Sequence, residues 1–191
     1  MERDERILMA ARELFYEKGF ESVGVDDIGA RAGITGPAIY RHFSSKQEVL
    51  GTLFDRALDA LLERVSDGFD DPWEEIEALV RALAGFVVEN PELAAVYQRE
   101  DRSLEPPRRA HLVKRREAYV GRWVDCLARC VPERSTEELT SAAWAAITLL
   151  VSLGSWPEEA RETPDLVGLL TAQTVGGFAA LERRADVRRV A

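Results

Sequence analysis

Apolar residues recur at three- and four-residue spacing along almost the whole 191-residue chain, while the alternation expected of strands is nearly absent. That spacing puts one apolar stripe on a helix and gives a sheet no continuous face. An all-α fold follows, and the breaks between stripes set the number of helices. Ile7, Leu8, Ala11, Leu14 and Phe15 line a first helix, about residues 4–18, which Gly19 ends. Val25, Ile28 and Ala32 mark a short second helix that stops at Gly33. Thr35 is placed to cap a third helix over 36–43, with Pro37 in a first turn where its missing N–H goes unused. Ser44 and Ser45 open a long fourth helix carrying Val49, Leu50, Leu53, Phe54, Ala57, Leu61 and Val65. Asp71-Pro72 and Asn90-Pro91 start a fifth and a sixth, and a seventh runs over about 107–131. Ser135 caps an eighth to about 154; after a loop at Trp156-Pro157, a ninth runs from Thr163-Pro164-Asp165 to about Arg184.

Charge at first argues against a nucleic-acid partner, because the net is −9. Its distribution matters more. Residues 28–47 hold Arg31, Arg41 and Lys46 with no acid, a local +3 on which phosphate can bind while the acidic remainder discourages promiscuous contacts. The N-terminal residues lack the unbroken apolar stretch and cleavage site of a signal peptide. The only cysteines, Cys126 and Cys130, imply no disulfide framework and suit a reducing cytoplasm. They lie four apart on one helical face and read as small buried apolar groups rather than a redox pair. His42 and His111 show no ligand spacing with them, so no metal or other cofactor is expected.

The turn Ala32-Gly33-Ile34-Thr35 between two short helices fits a helix-turn-helix. Gly33 supplies positive φ and Ile34 points inward, so the third helix is presented outward with Gly36, Ala38, Tyr40, Arg41 and His42 as its expected exposed groups. Small residues let a helix approach a groove, and Tyr, Arg, His and Lys46 suit phosphate oxygens. Spacing alone is also compatible with an ordinary helix hairpin, in which Tyr40 is a core aromatic.

The linked positions of FESVGVDDIGARAGITGPAIYRHFSSKQEVL, Phe20 through Leu50, resemble the DNA-binding signature of the TetR (tetracycline repressor) family. The resemblance covers residues 4–55 well, and the rest of the chain only in helix count and size. It implies a nine-helix fold: a helix-turn-helix head, residues 1–48, on a ligand-sensing and dimerisation body, residues 49–191. It further implies that Tyr40, His42 and Lys46 meet phosphates and that Gly36 and Pro37 open the groove-facing helix. Thr35 caps that helix, with a hydroxyl able to reach a phosphate. Two departures stand out. Val23 and Gly24 replace the hydroxyl residues usual before the second helix. Asp26 stands where some relatives extend an Arg to guanine, and a carboxylate accepts only, as from cytosine N4. Arg41 is then the best candidate for base readout, with DNA shape supplying part of the specificity.

In the body, residues 139–156 carry no charge. They sit at the short limit for crossing a membrane, and their Ala, Ser and Thr content favours a helix buried on both sides, one face to the core and one to a partner. In the resembled family this helix and the last form a four-helix dimer interface, which implies a homodimer on a palindromic double-stranded operator. Leu112, Tyr119, Trp123, Cys126 and Cys130 form a stripe on the seventh helix with Arg116 inside it. If buried, this Arg must be paired; it is open to an internal carboxylate such as Glu100, to snorkelling into solvent, or to anchoring a ligand carboxylate or phosphate. Phe86, Tyr97, Trp123 and Trp144 are the matching candidates to wall an apolar pocket, although each is individually a plausible core residue.

The expected protein is a cytoplasmic, dimeric repressor, released from DNA by a small, mostly apolar effector such as an acyl-CoA or another lipid-like acid. An enzyme is not expected, since no nucleophile–base pair, metal cluster or phosphate loop is visible. The rival is a helical protein–protein interaction module. It accounts for the body but not for the linked pattern at 20–50.

Overall fold

The computed structural model describes residues 2–65 and 68–189, with side chains through Glu182, and contains no strand among them. The head comprises α1 (Arg3–Lys18), α2 (Val25–Ala32) and α3 (Gly36–Ile39). Gly19 ends α1 at φ 80°, and Gly33 closes α2 in the left-handed region at φ 71°, ψ 32°. Ile7, Phe15, Phe20, Ile28 and Ile39 close the small core beneath them.

The third helix is shorter than its periodicity suggests. It stops at Ile39, and residues 40–42 form tighter turns in which Arg41 N–H and His42 N–H bond three residues back, to Ala38 O and Ile39 O. Thr35 holds the extended backbone of a cap residue, but its hydroxyl makes no cap hydrogen bond. At α2, where Gly24 offers no side chain, the Asp27 carboxylate reaches back to accept from Gly24 N–H at 2.8 Å.

The body is built from α4 (Lys46–Glu63), α5 (Pro72–Glu89), α6 (Pro91–Glu100), α7 (Pro106–Cys130), α8 (Thr136–Ser152), α9 (Glu158–Arg161) and α10 (Leu166–Arg189). Short 3₁₀ turns follow α6 and α8. The described residues thus hold ten α-helices rather than nine. The extra one, α9, is a single turn in the expected loop, started by Pro157. Ser45 and Ser135 cap α4 and α8 by accepting from Glu48 N–H and Glu138 N–H. Helix α7 is the hub, packing on α4, α5 and α8, and α10 lies mainly on α5. Trp123, Leu127, Leu83, Leu139 and Ile76 fill the centre.

Thr136–Ser155 is long and apolar enough to cross a membrane by length and composition. In this fold its inner flank, Leu139, Ala143, Ala146, Ile147 and Leu150, is buried in the body, while Leu149 stays 39% exposed.

Head and body meet at a polar seam. The Arg99 guanidinium donates to Phe15 O and Tyr16 O at the end of α1, and the buried Glu100 carboxylate accepts from Phe20 N–H at 3.2 Å. Gln47 spans the seam from α4, donating to Ser103 O at 2.8 Å and accepting from Glu105 N–H at 3.0 Å.

Candidate functional site

Two regions stand out: the outer face of the head and a cavity in the body. On the head, Thr35, Pro37, Tyr40 and Arg41 face outward, with Tyr40 58% exposed. Gly36 does not. It is buried beneath Asp26, whose Oδ1 lies 1.8 Å from where a Cβ on Gly36 would stand. Gly36 therefore makes room for the Asp26 carboxylate rather than for a groove.

The cations are more engaged than their sequence run implies. Arg31 is held by Glu13 at 2.9 Å and Glu17 at 3.1 Å, which pulls Glu17 below the usual carboxylate range. Lys46 donates to Phe20 O at 2.7 Å and sits 4.2 Å from the centre of the Phe20 ring. His42 Nδ1 lies 2.5 Å from Asp4 Oδ1. Of Arg31, Arg41 and Lys46, Arg41 alone is without a partner among the described residues. The local +3 thus reduces to one free guanidinium beside two groups that are held in place, Lys46 and His42. Sequence spacing missed the brace at the foot of α4. There Ser44 donates through its backbone N–H and its hydroxyl to Glu48 Oε2 at 2.6 and 2.5 Å, and this lowers the Glu48 pKa.

The body cavity, of about 210 Å³, lies among α4, α5, α6, α7 and α8 and is overwhelmingly apolar. Phe86, Tyr97, Arg116 and Trp144 all line it, whereas Trp123 is fully buried in the core behind and does not. Phe54 packs edge-on to Tyr97 with ring centres 5.2 Å apart. Tyr119, Gln98 and Thr148 add polar atoms to the wall. Tyr119 was readable in the α7 stripe, but the two others carry no signal beyond position on their helices. Burial pushes the Tyr119 hydroxyl up to about 12, so it stays a neutral phenol.

Arg116 does not pair with Glu100. Its Nη1 lies 3.3 Å from the Tyr97 hydroxyl and 3.4 Å from Asp101 Oδ2, with the guanidinium 5.3 Å over the Trp144 ring. Glu100, the neighbour of Asp101 at the end of α6, faces the other way, taking bonds from Phe20 N–H, Arg99 and Ser103. Burial opposes the Arg116 charge, but Tyr97 and Asp101 outweigh it and hold the guanidinium protonated. Burial also pushes the Cys126 thiol up to about 12, and its Sγ donates to Pro72 O at 3.1 Å. The two cysteines are inert packing groups in this environment.

A three-helix head that presents a short helix after a glycine turn, fused through one long helix to a body with an internal apolar cavity, defines a helix-turn-helix regulator of the two-part kind. Comparison with known proteins agrees: residues 7–53 match the description "Bacterial regulatory proteins, tetR family", and residues 70–159 match "Tetracyclin repressor-like, C-terminal domain". The chain belongs to the tetR family of bacterial regulatory proteins. It is 31% identical over 133 residues to the HTH-type transcriptional activator FasR of Mycolicibacterium smegmatis, covering 66% of this chain and 61% of that protein. It is 30% identical over 131 residues to the HTH-type transcriptional repressor KstR2 of Mycobacterium tuberculosis, covering 66% of each. The chain thus spans under two thirds of the length of these relatives. The solved structure of that KstR2 superposes with a TM-score of 0.76 at 26% identity, over 92% of this chain and 94% of the other. The fold is also shared with AibR, at a TM-score of 0.78 and 20% identity, over 92% and 97%.

Proposed function

We propose that this protein is a ligand-responsive transcriptional regulator that binds a palindromic DNA operator as a homodimer and is released by a small, mostly apolar effector. The observation that carries this reading is the course of α4. It begins at Lys46, beside the exposed face of the head, and its later turns, through Phe54, Ala57, Leu58 and Leu61, form a wall of the cavity. A molecule filling the cavity displaces the element on which the head is mounted. By linkage, DNA then weakens effector binding by the factor by which effector weakens DNA binding. Residues 1–48 act as the reading head and residues 49–191 as sensor and dimer body.

Tyr40, Arg41 and Pro37 form the contact surface, with Thr35, Lys46 and His42 at its edges. Gly36 shapes it from below. Phe86, Tyr97, Trp144 and Arg116 face the effector. Arg116 is already engaged by Asp101 and Tyr97, which favours it as a structural pair at the cavity wall over an anchor for a ligand acid. Dimerisation runs through α8 and α10, where a shallow groove between Ala142, Ala146, Leu149, Gln173 and Gly177 leaves both helices open to a second copy. This is a cytoplasmic role, without a membrane or catalytic step. Repression is the favoured direction, as in KstR2 by its name, while FasR is named an activator. AibR has been solved with isovaleryl coenzyme A and operator DNA, so a protein of this fold holds both kinds of partner.

The test is fluorescence anisotropy on an operator selected from random duplexes, at several salt concentrations. Tyr40→Phe with Arg41→Gln is expected to weaken binding and to flatten the salt slope by about one unit. Unchanged affinity in this double variant sinks the assignment of the head as a DNA reader and favours the interaction module.

A further inference from the structure

A second space adjoins the body cavity. A groove of about 330 Å³ lies between α1 of the head and α4, α5 and α6 of the body. It shares Ala57, Phe86 and Leu93 with the inner cavity, so these three side chains form the partition between the two spaces. Phe86 and Leu93 are only 8% and 9% exposed, so the partition is closed by packed side chains and not by backbone.

The two spaces differ in chemistry. The inner one is walled by aliphatic and aromatic carbon, and its single cation, Arg116, is matched by Asp101. The outer one carries Arg12 from α1 and Arg56 from α4. Arg56 is exposed and without a partner among the described residues. The Nε of Arg12 is buried with no hydrogen-bond partner, and its contact with Glu92 Oε2, at 3.5 Å, is of charge alone. One acid lines the groove, Glu5, and it is turned to the start of α1, where it accepts from Glu2 N–H. Glu92 lies outside the lining and bears on the groove only through Arg12. An anion arriving between Arg12 and Arg56 meets one guanidinium without a partner and a second that Glu92 holds only at 3.5 Å.

We propose that the effector is an anionic amphiphile whose apolar tail occupies the inner cavity and whose anionic head lies in the outer groove between Arg12 and Arg56. This rests on the reading of the cavity as an effector site. It adds a second subsite, and it moves the anion from Arg116 to a place where it touches α1, so that the effector bridges the body and the reading head. A cavity of 150 Å³ holds a benzene ring, so 210 Å³ suits a tail of about eight carbons.

The experiment is calorimetric titration of the full chain with octanoate, octanoyl-CoA and 1-octanol at fixed salt, for the wild type, Arg12→Gln and Arg56→Gln. The wild type is expected to bind one or both anionic probes at least about tenfold more tightly than octanol. Each substitution should remove about tenfold of the anion affinity and leave octanol unchanged. Octanoyl-CoA binding without octanoate identifies a phosphate-bearing head; octanoate binding identifies a free acid, and either result supports the two-compartment site. Hydrogen exchange should slow in Arg3–Lys18 with the anionic probe and not with octanol. Anion binding indifferent to both arginines, or equal to octanol binding, overturns the outer subsite while leaving the cavity as an apolar effector site. Failure of all three probes, octanol included, removes the cavity reading itself. Arg56 is on the surface, so Arg56→Gln decides the matter if Arg12→Gln folds poorly, and Arg56→Lys should restore part of the affinity.

Discussion

At Gly29 the helices of the head come closest: a Cβ there would stand 2.8 Å from Gly36 N and 3.0 Å from Ile34 O. Those neighbours are backbone and cannot rotate aside. Gly29→Ala is therefore expected to cost about 1–3 kcal/mol in urea unfolding, the usual range for overpacking. At Gly36 the nearest obstacle is instead a side chain, Asp26. Adding Asp26→Ala should relieve Gly36→Ala and leave Gly29→Ala unrelieved, a coupling that a double-mutant cycle reads directly. If both glycine variants respond alike to Asp26→Ala, the packing described at this turn is wrong. The cysteines give a second prediction at this scale. With burial holding the Cys126 thiol near 12, neither Cys126 nor Cys130 should react with a thiol reagent at pH 8 until the protein unfolds.

Among the elements, the link between α6 and the head is the least expected from sequence. Glu100 accepts from Phe20 N–H, Arg99 and Ser103 while 7% exposed, so Glu100→Gln keeps its volume but loses the charge that these donors face. A loss of about 1–3 kcal/mol is expected on thermal unfolding, with hydrogen exchange rising first around Phe15–Phe20. Unchanged exchange there would show that the seam does not hold the head. Such a seam is invisible in the chain because its partners are 80 residues apart. What sequence does carry is local: Gly19, Gly33, Pro72 and Pro91 punctuate the helices because each acts through its own backbone. The early end of α3 and the single turn of α9 depend on surroundings and do not show in periodicity. The same division holds at the sites. Phe86, Tyr97, Arg116 and Trp144 were separable from solvent-facing positions by helical spacing. Spacing does not say which buried aromatic faces a void and which faces another helix, and Trp123 turned out to be the latter. Nor does it show that Asp26 covers Gly36.

For the whole molecule, carboxylates held by nearby donors add a response to acid. Glu17, Glu48 and Glu89 are held below the ordinary 4.5 by Arg31, Ser44 and Arg64 respectively. Because their folded values lie under the unfolded one, their contribution is complete above pH 4.5 and is lost as pH falls through the depressed values. The melting temperature should be level from pH 7 to about pH 5 and fall below it. A melting temperature that rises on acidification would contradict these pairings. Assembly is the other property of this scale: Leu149 and Leu169, 39% and 56% exposed, lie on the helices proposed to pair. Leu149→Glu with Leu169→Glu should give a monomer by sedimentation and abolish tight operator binding, whereas a dimer that persists places the interface elsewhere. The length of α4 has a mechanical consequence. Eighteen residues make a rod of about 27 Å, so a pivot of about five degrees at the cavity sweeps the far tip through about 2 Å. Symmetry doubles that sweep to roughly the axial rise of one base-pair step, about 3.4 Å, or slightly more. In the dimer proposed above, a lever of this length would let a ligand of a dozen atoms put two recognition heads out of register with a helical turn of DNA.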